Sequence, residues 1–217
     1  LKPLTVWGVG TTRTMRVHWL MFELGLDYET QRIESRTGET QDPAYLKINP
    51  KQKIPSLVDG DLVVTESTAI MRHLRRCYDT LKYDEYQQSV EGQAAYDEWL
   101  SFMLMELDAT SLYVVRRHRD LHQIYGKADN AVSSSIAYFE KMITSVEDRI
   151  KGRQFLWGSR FSELDIHLTI LLDWASAVDA KVPEAFVAYH SEMTQRGAYL
   201  AARKFNFGEL QLPTIPV

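Results

Sequence analysis

The spacing of apolar positions along this chain changes once, near residue 80. Before it, short apolar runs alternate with stretches of helical period. After about residue 85 the helical period runs almost unbroken. Residues 4–7 read as a strand, 15–24 as a helix closed by Gly25, and 28–33 as a second strand. Residues 43–48 allow one or two helical turns. Residues 56–58 and 62–64 flank Asp59-Gly60-Asp61, and Asp-Gly between apolar runs is a hairpin signal. A helix follows over 67–78. The order βαβαββα predicts a compact α/β unit with a mixed sheet, residues 1–79. Residues 86–217 predict an all-α domain, with helices over about 86–122, 131–151 and 162–178 and shorter pieces to about Lys204. "CYDTLKYDEY" is polar and aperiodic, and reads as the linker.

Composition narrows the partners. The chain is 45% apolar and 11% aromatic with no low-complexity tract, which predicts a folded protein able to bury a sizeable core. A net charge of -4 and a pI near 5.9, with no clustered basic stripe, argue against a nucleic-acid partner. No apolar run reaches the roughly 18 residues that span a bilayer, and "LKPLTVWG" enters a strand pattern at once, leaving no room for a signal peptide. One cysteine, Cys77, makes no internal disulfide and agrees with a reducing, cytoplasmic setting. Its place in "RRCYD" predicts burial as a small apolar residue. No His/Cys/Asp/Glu set has metal-ligand spacing, so no metal is expected.

Two stretches carry local chemistry. In "FSELDIHL", Ser162 and Asp165 predict a reciprocal capping box, a folding device. "NPKQKIPSLVDGDLVVTESTAI" sets a proline before a strand and an acid beside a hydroxyl before a helix. On residues alone, a trans Ile54–Pro55 bond is the safer expectation. A cis bond would leave Ile54 an N–H and a C=O free for an extended peptide. Glu66 suits an ammonium, and Ser67 at a helix start suits a carboxylate. The pair fits the α-amino-acid end of a peptide, or else it simply caps the helix beyond a hairpin.

That stretch, with "ELGLDYE", "FSELDIHL" and "RGAYLAA", resembles the cytosolic glutathione transferases over nearly the whole chain. In "RGAYLAA", Gly197 stands where the family's Arg-Pro-Ala signature has proline. The resemblance implies a thioredoxin-like first domain, an all-helical second domain, and glutathione as co-substrate. It implies that Pro55 is cis, that Ile54 pairs with the cysteinyl backbone of glutathione, and that Glu66 and Ser67 hold its γ-glutamyl end. Lys53 resembles a lysine that meets the glycyl carboxylate, though it also reads as a solvated lysine. Gln52 departs from the glycine or histidine common nearby. Together with an apolar excess over 86–122, the resemblance implies a homodimer.

Thiol activation needs a donor, because a free thiol of pKa roughly 8.5 is only a few per cent thiolate at neutral pH. Counting back six residues from Val17, Thr11 holds the position of the serine in serine-type classes. Thr12 is the second candidate. Thr14 is expected to cap or face the first turn of the helix. Capping alone is the alternative for Thr11 and Thr12. Arg13 could favour the anion or face water. The small electrophile is expected near Gly8, Val9 and Gly10 and the long helix, at Trp99, Met103, Glu106 and Tyr113, which also read as core or dimer contact. Arg116 and Arg117 suit an acidic co-substrate or solvent. Three functions remain open at this point: transfer of glutathione, a glutathione-dependent isomerase or peroxidase suggested by the likeness of Thr11-Thr12 to the Ser-Ser pair of the zeta class, and a non-catalytic binding module.

Overall fold

The computed structural model describes residues 3–79 and 89–208. These fall into two compact units: residues 3–79 with 195–208, and residues 89–194.

The first unit is built on a four-stranded sheet in the order β2-β1-β3-β4. Strand β1 (Leu4–Trp7) pairs in parallel with β2 (Tyr28–Gln31), Leu4 opposite Tyr28. A parallel pair needs a crossover, and α1 (Thr12–Glu23) supplies it. That helix ends where Gly25 takes φ +61, so that the Gly25 and Leu26 N–H groups reach back to the Phe22 and Met21 carbonyls. After α2 (Pro43–Ile48) the chain enters β3 (Ser56–Asp59), antiparallel to β1, and turns at Gly60 into β4 (Leu62–Thr65). Helix α3 (Ser67–Tyr78) follows. Val6, Leu57, Val17, Leu20, Ile70 and Leu74 close the core between sheet and helices.

Residues 195–208 correct the expectation of a separate all-α domain over 86–217. Helix α10 (Gly197–Phe207) belongs to the first unit. Arg196 makes two bonds of 2.7 Å to the Glu23 carboxylate, which also accepts the Trp19 indole N–H at 2.9 Å. Trp19 in turn meets the Tyr199 ring edge-on, with centroids 4.9 Å apart. The two-pronged guanidinium–carboxylate pair fixes orientation as well as contact.

The second unit is helical, and each helix is described by its own packing. Helix α4 (Val90–Phe102) runs on through a π-helical stretch, Met103–Leu112, then α5 (Tyr113–Val115) and a second π-helical stretch, Arg116–Asp120. The expected start at residue 86 lies outside the described residues. The expected single α-helix to 122 is instead interrupted by these wider turns and by Leu121, at φ -113. Helix α6 (His122–Tyr125) is short, and α7 (Asp129–Ser145) ends before the expected 151, in a 3-10 turn at Glu147–Arg149. Helix α8 (Glu163–Ala177) is buried on every side from Glu163 to Leu172, and α9 (Glu184–Thr194) completes the unit.

The Ser162–Asp165 box is formed. Asp165 accepts the Ser162 N–H at 2.7 Å, the Leu156 N–H at 2.7 Å and the Tyr189 hydroxyl at 2.5 Å. Burial pushes the Asp165 pKa above the usual carboxylate value, although these hydrogen bonds pull it down.

Gly197 opens α10 with no atom within 4 Å of where a Cβ would stand, and Arg196 before it is extended (φ -62, ψ 132), the conformation a residue before proline adopts. Gly197→Pro is therefore expected to stabilise the protein by roughly 0.4–1 kcal/mol, because the first helical position needs no N–H and the unfolded chain loses freedom. Thermal unfolding checks this: Tm should rise by about 1–4 °C. A lower Tm would contradict the geometry.

Candidate functional site

Strand register decides which segments meet. Trp7 at the end of β1 lies opposite Ser56 at the start of β3, and Ser56 lies opposite Thr65 at the end of β4. Residues 8–14, 54–55 and 66–67 therefore gather at one end of the sheet. Both α1 and α3 begin there, so two helix N-termini face the same place, where an anion is favoured.

Gly8 fixes the first of these segments. Its φ is +109, and a Cβ there would stand 2.5 Å from the Ile54 Cβ, so only glycine fits. Its N–H bonds to the Gln31 carbonyl at 2.9 Å, and its carbonyl lies 3.0 Å from His18 Nε2. His18 is fully buried, and its Nδ1 lies 2.9 Å from the Tyr28 hydroxyl. Burial lowers the His18 pKa to about 4; the bond to Gly8 opposes this, and nearby Arg32 adds to it. The ring is thus neutral at pH 7, with Nε2–H donating to Gly8 and Nδ1 accepting from Tyr28, whose own pKa burial raises.

The second segment contains a cis Ile54–Pro55 bond, as the resemblance implies and against the safer trans expectation. Ile54 is buried against Gly8. The carbonyl of Lys53 accepts the Tyr45 hydroxyl at 2.5 Å and the Asn49 amide at 2.7 Å, and the Tyr45 hydroxyl also lies 2.9 Å from the Ser56 hydroxyl. These bonds hold the backbone of Lys53 while its side chain stays exposed.

The third segment departs from ordinary geometry. Glu66, at the cap of α3, has φ +72, a left-handed conformation that a non-glycine residue adopts at a cost of order 1–3 kcal/mol. Its carboxylate pairs with Lys51 and makes no capping bond, so it is held facing out of the helix. Ser67, the next residue, is buried. This outlier lies beside the starts of both α1 and α3.

At the start of α1, Thr11 is the cap. Its hydroxyl accepts the Thr14 N–H at 3.0 Å while Thr14 Oγ1 accepts the Thr11 N–H at 3.0 Å. Capping and activation are compatible, because the cap uses a lone pair of the Thr11 oxygen and leaves it a proton, whose partner within the protein is the Thr14 hydroxyl oxygen at 3.1 Å. Thr12 and Arg13 are the first two helical residues, both half-buried.

Residues 2–76 match the family described as "Glutathione S-transferase, N-terminal domain". Glutathione S-transferase F9 of Arabidopsis thaliana is 28% identical over 149 residues, 69% of this chain and 65% of that protein, so the chain spans somewhat under two thirds of this relative. A glutathione S-transferase from Xylella fastidiosa superposes with a TM-score of 0.80 over 94% of this chain and 98% of that one, at 18% identity. A glutathione transferase homologue from Lodderomyces elongisporus, solved with two glutathiones per subunit, also gives 0.80, over 94% and 99%, at 21%. Over residues 2–76 the chain is similar to glutathione S-transferase N-terminal domains, and over 94% of its length it shares the fold of these solved structures.

Within this fold, several expected site residues are packed in the interior instead. Val9 is 2% exposed and lies in the core of the first unit, its N–H on the Ile33 carbonyl. The room expected at Gly8 is filled by Ile54. Gly10 is open, its nearest neighbour being the Glu34 side chain 3.8 Å from where a Cβ would stand. Trp99 and Met103, 2% and 0% exposed, pack in the helical unit, and the Arg149 guanidinium lies 4.1 Å over the Trp99 ring. Glu106 and Tyr113 are half-buried, and Glu106 accepts the Tyr138 hydroxyl at 2.5 Å. Cys77, expected to be buried, is exposed: its thiol lies 3.8 Å from His73 Nδ1 on the next turn of α3, and the other His73 nitrogen bonds Asp59 at 2.7 Å. Among the described residues, no group of His, Cys, Asp and Glu could hold a metal, and no helix is long and apolar enough to cross a membrane.

Sequence reasoning missed His18, Tyr45, Lys51 and Asn206. Asn206 is the most remote. Its side chain accepts the Gly10 N–H at 3.2 Å and the Thr14 hydroxyl at 2.7 Å, and donates to the Thr11 carbonyl at 3.1 Å.

His18 generates a pH prediction. The unfolded chain takes up a proton near 6.5, the folded one only near 4, so below 6.5 the unfolded state binds more protons and stability falls as pH drops through this window. The loss totals about 3 kcal/mol. Urea unfolding of wild type and His18→Gln at pH 7 and pH 4 should show this loss in wild type alone. An equal loss in both would show that His18 does not carry it.

Proposed function

We propose that the protein binds glutathione at this end of the sheet and transfers its thiolate to a small electrophile. The observation that carries the reading is the meeting, set by strand register, of Glu66-Ser67 at one helix start with the Thr11 hydroxyl at another. Glu66 takes the ammonium of the γ-glutamyl end and Ser67 its carboxylate. The backbone of Ile54 pairs with the cysteinyl residue, and Lys53 meets the glycyl carboxylate. The thiol then comes to Thr11, with Thr12 the second candidate and Arg13 adding positive charge.

Activation here is electrostatic. One hydroxyl bond and a helix N-terminus stabilise thiolate over thiol, and lowering the thiol pKa by about two units is worth ~2.7 kcal/mol. Attack forms a carbon–sulfur bond as the electrophile's leaving group departs or its unsaturated bond takes up the electron pair. Gly10 keeps open space beside it and is the residue of the first unit that we assign to the electrophile. A homodimer and a cytoplasmic setting complete the reading, the dimer supported by exposed Val90 and Met105 on the helical unit.

Two substitutions separate binding from activation. Glu66→Gln should weaken glutathione binding by roughly tenfold or more in calorimetry, since a charged hydrogen bond is worth about 1.5–3 kcal/mol. Thr11→Val should leave binding in place but raise the titration of the bound thiol in ultraviolet absorbance and lower turnover at neutral pH. Unchanged affinity in Glu66→Gln removes the γ-glutamyl assignment. A shift in Thr12→Val alone moves activation by one residue.

A further inference from the structure

We infer that Asn206 is a positioning residue for thiol activation, an inference that rests on Thr11 being the donor. The Thr11 carbonyl is contested. Three donors lie within reach of this oxygen: the Met15 N–H at 3.0 Å, the Asn206 amide at 3.1 Å and the Thr14 hydroxyl at 2.9 Å. Two lone pairs serve two of them. The helix takes the first for Met15 and Asn206 takes the second. The single Thr14 proton is therefore directed to Asn206 Oδ1, its shortest contact at 2.7 Å.

The orientation of the amide is settled by its surroundings. The Thr11 carbonyl can only accept, so Nδ2 faces it, and Oδ1 is left toward the Gly10 N–H, which it shares with the Asn206 backbone carbonyl. The amide thus bridges the Gly10–Thr11 peptide from outside and holds Thr14 from behind. Asn206 is itself immobilised: it is 3% exposed, its own carbonyl takes the Gly10 N–H at 3.1 Å, and the preceding Phe205 carbonyl accepts from Arg32 at 3.2 Å.

The consequence falls on Thr11. Its side chain is aimed by the Thr14 N–H, and beyond its own capping bonds the turn that carries both residues is held from α10 by Asn206. A hydroxyl that stabilises a thiolate must sit within a few tenths of an ångström of its place, and misplacement lowers the rate while leaving distant binding contacts alone. Asn206 makes no contact with glutathione in this account. It acts through Thr11.

The test uses the full-length protein and three readouts. In Asn206→Ala, calorimetric affinity for glutathione should stay within about threefold, the bound thiol should titrate about one unit higher, and kcat at pH 6.5 should fall about tenfold, recovering above pH ~9. Thr14→Val, which removes the hydroxyl that Asn206 holds without touching α10, should shift the titration in the same direction. The double variant should shift it by less than the sum. An Asn206→Ala protein that loses Tm and affinity but titrates like wild type would overturn the inference, as would additive shifts. If Asn206→Ala does not fold, Thr14→Val alone decides: an unmoved titration sinks the inference. A wild-type thiol that titrates at its free value instead sinks the activation reading itself, and the inference with it.

Discussion

The end of the sheet where α1 and α3 begin depends on one close approach, that of Gly8 to Ile54. The gap leaves no space for a Cβ. Around it, the Gly8 N–H is committed to β2 through Gln31 and its carbonyl to α1 through His18. One residue thus joins the sheet, the first helix and the segment containing the cis bond. The antiparallel register of β3 on β1 then places the start of α3 beside them. His18 fits this role because burial holds it neutral, so each of its nitrogens has a single hydrogen-bonding duty.

The site combines that rigid base with groups held at some energetic cost. Glu66 keeps a left-handed backbone, and its carboxylate is balanced by Lys51 in the free protein. An ammonium of a ligand would take over that partnership, so the strained residue is already neutralised before binding and is not left as an isolated charge. On the other side, the C-terminal helix α10 contributes structure to the first unit through Arg196, Tyr199 and Asn206. The turn that caps α1 is therefore held by residues nearly two hundred positions apart in sequence.

What was legible in the sequence was local. The Asp-Gly hairpin, the Ser162–Asp165 box and the end of α1 at Gly25 each depend on residues a few positions apart, where turn and cap chemistry leaves a signature. The grouping of Glu66 and Ser67 was legible for the same reason. Asn206 was not, because its partners lie 192–196 residues away and no spacing connects them. The return of α10 to the first unit was hidden likewise, since a helical period says which face is buried and not against what. Periodicity also cannot distinguish a π-helical turn from an α-helical one over so few residues, which is why 103–112 read as ordinary helix. Cys77 was misjudged because an apolar preference was applied to the last turn of a helix, where Cys77 and Arg76 are both exposed.

The central claim is that one end of the sheet, gathered by strand register around Gly8, is where glutathione sits. An amide-resolved NMR titration of the protein with glutathione tests it most directly. The account predicts that the backbone amides of Gly10, Thr11, Ile54 and Ser67 shift together and saturate with a single affinity. Saturating shifts confined to the helical unit, with these four amides unmoved, would contradict it.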